Sequence, residues 1–335
     1  QLVQFHDYFF YQMIFIKVGA LFGRFLGPVL REDVKCFGKN TCYPLAFGFP
    51  VVLMTIESLV LICARKTFIQ KPTSKTSMVK VVSCIYYAIK EKISSKGGKR
   101  DHWLDYSVDK YGTKLVEDSK LIVRVMAVLM GVSFYYACFM QQNSRWIFQA
   151  SQMNGDLGFY TLKHDQIIVF NPLSALILTP LCSYYLFPLL DRCGFKLFVH
   201  RIAIGGFICC LGFVCAIIVE FQIQENYISM LWLFPQYICA ALSEIFVGLS
   251  SLDFAYENGP TGMKSMMTAL VYLTGSLGVG LIPIIAALDL FTLQAHEFIF
   301  FATILFINMV IFCVIITKVN FKEKRWSRVI DRSPK

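Results

Sequence analysis

Charge is scarce in this chain: aspartate, glutamate, lysine and arginine together make up only 16% of its 335 residues. Soluble domains carry about 25% charged residues, so this shortage, beside a hydrophobic content of 56%, excludes an ordinary soluble globule. Catalytic signatures are missing too. No GxSxG, HExxH or GxGxxG occurs, which removes the strained nucleophile turn, the helical zinc pair and the dinucleotide loop, and with them the reading as an enzyme. Gly275, Gly278 and Gly280 stand in the wrong order inside an apolar run, where close helix packing accounts for them. Histidine is sparse as well: His6, His102, His164, His200 and His296 lie in loops or at the ends of apolar runs, so none is placed as a mid-membrane proton relay. The twelve cysteines include no CxxC and no Cys/His metal spacing, so no metal site is expected. Nothing ahead of the first apolar run has the basic start and small-residue cleavage site of a signal peptide. The chain opens on Gln1. It is expected to be part of a longer product, a cleaved leader being the other explanation of such a start.

What is abundant is long apolar runs. A bilayer core about 30 Å thick needs about 20 mostly apolar residues per spanning helix. Eight stretches qualify, at 8–30, 43–64, 121–142, 168–190, 202–223, 227–252, 265–287 and 298–317. The predicted fold class is an all-α polytopic membrane protein with eight transmembrane helices. The net charge of +10 does not point to nucleic acid, because the loops divide it unevenly: alternate loops hold 25 basic residues on one side and 5 on the other. Cytoplasmic loops collect lysine and arginine. The 65–120 segment and both termini are therefore expected in the cytoplasm, with the loop that reads "QQNSRW" outside. Cys36 and Cys42 are the two cysteines of an external loop, where an oxidising compartment lets them pair; the spacing fits either a disulfide or two thiols. The other ten read as packing residues.

Two spans, a basic linker and six more spans suggest a boundary within 65–120. In "MVKVVSCIYYAIKEKI" from Met78, Val81, Val82, Ile85, Ile89 and Ile93 fall near one face and Lys80, Lys90 and Lys92 elsewhere, as in a helix lying on a membrane surface. "SSKGGK" ends that helix, and "DHWLDYSVDKYGTKLVED" begins a second helical candidate.

Ionisable residues deep in a span mark a cavity, a pair or a pathway. The first span carries Gly19, Gly23 and Gly27 at intervals of four, spacing that admits a close neighbour. Lys17 and Arg24 lie on another face. Arg24 is near enough to the outer end to snorkel, whereas Lys17 is not. Glu57 of the second span lies at matching depth, which predicts a buried Lys17–Glu57 ion pair between antiparallel neighbours. Glu244 sits near the centre of the sixth span, on a stripe with Tyr237, Ala241, Gly248 and Ser251 that suits a cavity-facing helix; a structural carboxylate paired to another helix is the plainer alternative.

At these residues the chain resembles the animal proton-coupled oligopeptide transporters of the major facilitator superfamily. "FMQQNSRW" from Phe139 is similar to that family's Phe-Asp-Gln-Gln-Gly-Ser-Arg-Trp at the end of helix seven. "CYPLAFGFP", "HWLDY", "DQIIVFNP" and "SEIFVGLSSLDFAYENGP" follow the family in the same order. The resemblance implies a partial major facilitator fold: residues 1–64 as the last two helices of an N-terminal bundle, 65–120 as the cytoplasmic amphipathic linker, 121–317 as a complete six-helix C-terminal bundle, and 318–335 as a basic cytoplasmic tail. Helices one to four would be the missing partner.

It also implies proton-coupled symport of di- and tripeptides across a membrane, the plasma membrane in the first instance, with protons as coupling ion, no other cofactor, and membrane lipids but no nucleic acid as further partners. On that basis Glu244, Asn171, Tyr136 and Lys17 are the candidate substrate-binding residues, and Arg124 and Glu244 the candidates for proton coupling and gating. The chain departs from the family pattern where Lys17 replaces a peptide-binding asparagine, Met140 a coupling aspartate and Val271 a pocket tryptophan. A degenerate, non-transporting and regulatory protein of the same fold is the alternative these losses favour.

Overall fold

The computed structural model describes residues 2–68, 78–94, 100–195, 197–260, 262–287, 291 and 293–318. The predicted "SSKGGK" break after Ser94 lies largely outside them, as do residues 69–77 of the linker and nearly all of the basic tail. The regular elements among the described residues are all helices, with isolated bridges and no strand. The long helices are α1 (Leu2–Glu32), α2 (Tyr43–Ala64), α3 (Met78–Ser94), and, after the short α4 (Val108–Tyr111), α5 (Thr113–Phe139). A one-turn helix α6 (Arg145–Ala150) precedes a span made of α7 (Phe170–Leu181) and α8 (Phe187–Arg192). Then come α9 (Phe198–Glu225), a second two-part span of α10 (Phe234–Glu244) and α11 (Ser250–Asn258), α12 (Lys264–Ala287) and α13 (Gln294–Lys318).

Eight of these stretches are long and apolar enough to cross a membrane. Both two-part spans are joined by one turn of π-helix, Cys182–Leu186 and Ile245–Leu249, so each remains a single rod with one widened turn. From α5 onward the helices share one core, in which α9 packs on α10 and α13 while α5 packs on α12 and α13. Gly278 of α12 is required there, because a Cβ at this position would fall 1.9 Å from the carbonyl oxygen of Ser133 on α5.

Helix α1 runs along α7, and α2 lies against α1 with none of its side chains buried. The glycine spacing in α1 does not seat a neighbour among the described residues: nothing lies within 4 Å of a Cβ built at Gly19, Gly23 or Gly27. The loop from α1 to α2 is closed by a disulfide between Cys36 and Cys42.

The linker helix forms at Met78, and it touches the rest of the protein through small residues beside the predicted apolar face. Val81, Cys84 and Ala88 are buried, and Val82, Ile89 and Ile93 remain exposed. Small residues decide this, since Cys84 and Ala88 let the helix approach Leu104 and Val116 closely, leaving the bulkier apolar side open in the way a helix at a lipid surface would be. "HWLDY" is not the start of a long helix. It forms a 3-10 turn, Trp103–Ser107, in which the Leu104 backbone N–H donates to His102 Nδ1 at 3.1 Å and the His102 N–H to Asp105 at 3.0 Å. Gly112, at φ +80°, then breaks the chain before α5 begins. Lys120 of α5 pairs with Asp105 at 2.7 Å, and its ammonium holds the Asp105 carboxyl below the usual carboxylate range.

Candidate functional site

The deepest charged cluster lies where α1, α7 and α10 meet. Lys17 of α1 is buried, its side chain 7% exposed, and its Nζ donates to Glu244 Oε2 at 2.5 Å and to Asn171 Oδ1 at 3.3 Å. Glu244 is the last residue of α10 and directly precedes the π-turn, which turns its side chain, 22% exposed, toward α1. One turn on, Gly248 lies 3.5 Å (from an ideal Cβ) from the methyl of Met13, itself one turn before Lys17. The antiparallel spacing thus matches Met13 to Gly248 and Lys17 to Glu244. Asn171 is completely buried near the start of α7, and its Nδ2 has no hydrogen-bond partner among the described residues.

This geometry corrects the predicted Lys17–Glu57 pair. Glu57 is exposed on α2, and Lys17 faces away from it, toward α7 and α10. Matching depth fixes only the height of a residue; rotation of each helix about its axis decides what it meets, and α1 is rotated by its packing along α7.

Tyr136 stands on α5, its ring 5.3 Å from that of Tyr135 and close against Gly275 of α12, within electrostatic reach of Glu244. Arg124 is not part of the cluster: it is exposed on the same helix, about 18 Å of helix rise from Tyr136 toward the linker end. Arg24, which the sequence suggested would snorkel, instead donates to the Ile168 carbonyl at 3.3 Å and stays within electrostatic reach of Glu244 and Tyr237.

A second polar layer closes the end of the molecule that carries "QQNSRW". Gln141 and Gln142 are buried in a 3-10 turn, and Tyr237 Oη donates to the Gln142 carbonyl at 3.3 Å. Trp146 meets Phe213 and Tyr237 edge-on. Arg145 pairs with Glu297 at 2.9 Å, tying α6 to α13. Beside them Gln149 Nε2 donates to Glu220 Oε2 at 2.9 Å and to the Ala216 carbonyl at 2.9 Å, and its Oε1 accepts from Gln236 at 3.2 Å. Glu220 was missed by sequence reasoning. It is buried and bonded to an amide, with no cation paired to it among the described residues; the available signal was an acid near the end of an apolar run with no basic residue beside it.

At this same end α1 is fastened to the start of the α7 span. Lys163 pairs with Asp33 at 2.7 Å and Glu32 at 3.7 Å, Arg31 pairs with Asp165 at 3.0 Å, and Gln166 Nε2 donates to the Phe25 carbonyl at 3.4 Å.

The profile of the POT family matches residues 3–318, which takes in all eight membrane-length helices. The chain belongs to the POT family. Among its relatives, solute carrier family 15 member 2 of Oryctolagus cuniculus is 38% identical over 214 residues, 63% of this chain and 29% of that protein. The Homo sapiens counterpart is 37% identical over 222 residues, 65% of this chain and 30% of that protein. Solute carrier family 15 member 1 of Canis lupus familiaris is 28% identical over 264 residues, 77% of this chain and 37% of that protein. The matched part thus spans about a third or less of the length of these relatives. The fold agrees with the crystal structure of an auto-inhibited POT family peptide transporter at a TM-score of 0.75 and 18% identity, covering 98% of this chain and 72% of the other. It agrees also with the POT family transporter PepTSo at a TM-score of 0.68 and 19% identity, covering 92% and 70%. The fold is that of these POT family structures, all-α with eight helices of membrane length among the described residues.

Proposed function

We propose that this chain is part of a secondary active transporter that moves di- and tripeptides across a membrane together with protons. The observation that carries the reading is the Lys17–Glu244–Asn171 cluster, a polar centre held between membrane-length helices, where an alternating-access site belongs. Glu244 is the one carboxylate in that cluster, and a carboxylate paired to an ammonium is able to exchange its partner for a proton or for a substrate charge. In this reading the protein sits in the plasma membrane with both termini and the linker in the cytoplasm, as the lysine and arginine distribution supports. The "QQNSRW" layer and the Lys163 fastening then lie at the outer face, and further helices complete the cavity beside α1 and α2.

Uptake of labelled dialanine into proteoliposomes, with the external pH lowered stepwise, tests this. Saturable uptake that rises as the outside is acidified, and is lost in Glu244→Gln, is the expected result. Uptake that is absent, or does not respond to the proton gradient, would overturn it. A second reading, a non-transporting protein of the same fold, is favoured by the pair itself, because Lys17 already satisfies the central carboxylate. Saturable uptake would exclude that alternative.

A further inference from the structure

The central cluster has an imbalance of charge and of hydrogen-bonding capacity. Lys17 and Arg24 are seven residues apart on α1 and therefore share a face; Lys17 touches Glu244 and Arg24 lies within its electrostatic reach. Helix α7, which packs on that face, contains no charged residue, and α10 contributes Glu244 alone. Two cations are set against one carboxylate. The carboxylate is engaged through Oε2 by the Lys17 ammonium, so a second ammonium arriving at Oε1 would sit cation beside cation. The free hydrogen-bonding capacity leans the same way. Lys17 spends the Asn171 oxygen as an acceptor, leaving Nδ2, a donor only, buried and unpartnered among the described residues. What both Nδ2 and the third ammonium proton of Lys17 lack is an acceptor; a donor group satisfies neither.

We propose that Lys17 is the specificity-determining residue of the central site and makes it a receptor for a substrate's carboxylate in preference to its ammonium. This rests on the peptide-transport reading above and specifies which end of the substrate the cluster takes. Lys17 acts as a tethered cation: it occupies Glu244 as an amino group would and turns the remaining donors toward an anion.

The test measures equilibrium binding of three probes to the purified full chain: N-acetyl-dialanine, which carries only the carboxylate; dialanine amide, which carries only the ammonium; and dialanine itself. The wild type is expected to bind N-acetyl-dialanine at least tenfold more tightly than dialanine amide. Lys17→Asn, which frees Glu244, should shrink that ratio at least tenfold or invert it, whereas Lys17→Arg should preserve it. Preference of the wild type for dialanine amide, or an unchanged ratio in Lys17→Asn, overturns the inference while leaving peptide binding intact. If Lys17→Asn does not fold, the wild-type ratio and its retention in Lys17→Arg decide the matter. Failure of all three probes to bind the wild type overturns the peptide reading and this inference together.

Discussion

Neutralising Glu244 strands a cation inside the membrane-length helices, and the size of the resulting defect follows from the pair's geometry. At 2.5 Å the Lys17–Glu244 attraction is about 6 to 7 kcal/mol at an effective dielectric of about 20. Most of this is offset by removing two charges from water, several kcal/mol each, so the intact pair contributes little net stability. Cutting one partner leaves the other's desolvation uncompensated, which costs about 3 to 5 kcal/mol for a fully buried pair. Because Lys17, the group left stranded, keeps only 7% of its side-chain exposure, we expect about 3 to 5 kcal/mol for Glu244→Gln. A cycle of Glu244→Gln, Lys17→Met and the double variant, followed by thermal unfolding in detergent micelles, reads the coupling directly. Each single variant should lower the apparent Tm clearly, and the double should recover at least half of the summed loss. Glu57→Gln, on the exposed α2, should leave the Tm unchanged. Additive single and double losses, or a Glu57→Gln defect equal to that of Glu244→Gln, would refute the pairing.

Two further expectations use other parts of the fold. Gly278→Ala drives a Cβ into the Ser133 carbonyl and should cost about 1 to 3 kcal/mol by forcing α12 off α5, while Gly280→Ala, with nothing within 4 Å, should be tolerated; thermal unfolding of the two variants side by side is the check. The Asp105 carboxyl is held below its usual range by Lys120, so the folded pKa lies under the unfolded one. The linker docking it supports is then fully present above the unfolded pKa of about 4 and is lost as pH falls through the lower folded value. Fluorescence of Trp103 should report undocking of α3 under acid conditions in the wild type, whereas Asp105→Asn, with no carboxyl to protonate, should show weakened docking already at neutral pH and lose that part of the acid response; an identical acid response in both proteins would remove Asp105 from the linkage.

Legibility in the sequence followed the kind of force involved. The spans were readable because hydropathy is a property of each segment alone, and eight runs predicted from composition reappear as eight helices of membrane length. The stripe through Tyr237, Ala241, Glu244, Gly248 and Ser251 was legible only in part: Tyr237, Ala241 and Ser251 are buried, a π-turn interrupts the periodicity, and Glu244 makes the pairing to another helix that was the plainer alternative to a cavity-facing role. Which helix lies opposite is not a local property. Depth pointed to Glu57 as the partner of Lys17, and only the packing of α1 along α7 sets Glu244 there instead. The apolar face of α3 was legible because helical periodicity is local, but its contact with the protein was not: the small Cys84 and Ala88, which no periodicity singles out, make it. The network of Gln149, Glu220 and Gln236 was illegible, because its hydrogen bonds join α6, α9 and α10 across long sequence separations and only Glu220 carried a local signal, that of an acid in an apolar run. The chemistry of this protein therefore resides in its least local contacts. Lys17 stands where the resemblance to peptide transporters supplies an asparagine, and sequence comparison registers it as one departure among several. Contact with Glu244 and Asn171 is what carries the proposal that Lys17 sets the preferred substrate charge, and on that proposal this charge is the property in which the chain should depart from the family pattern.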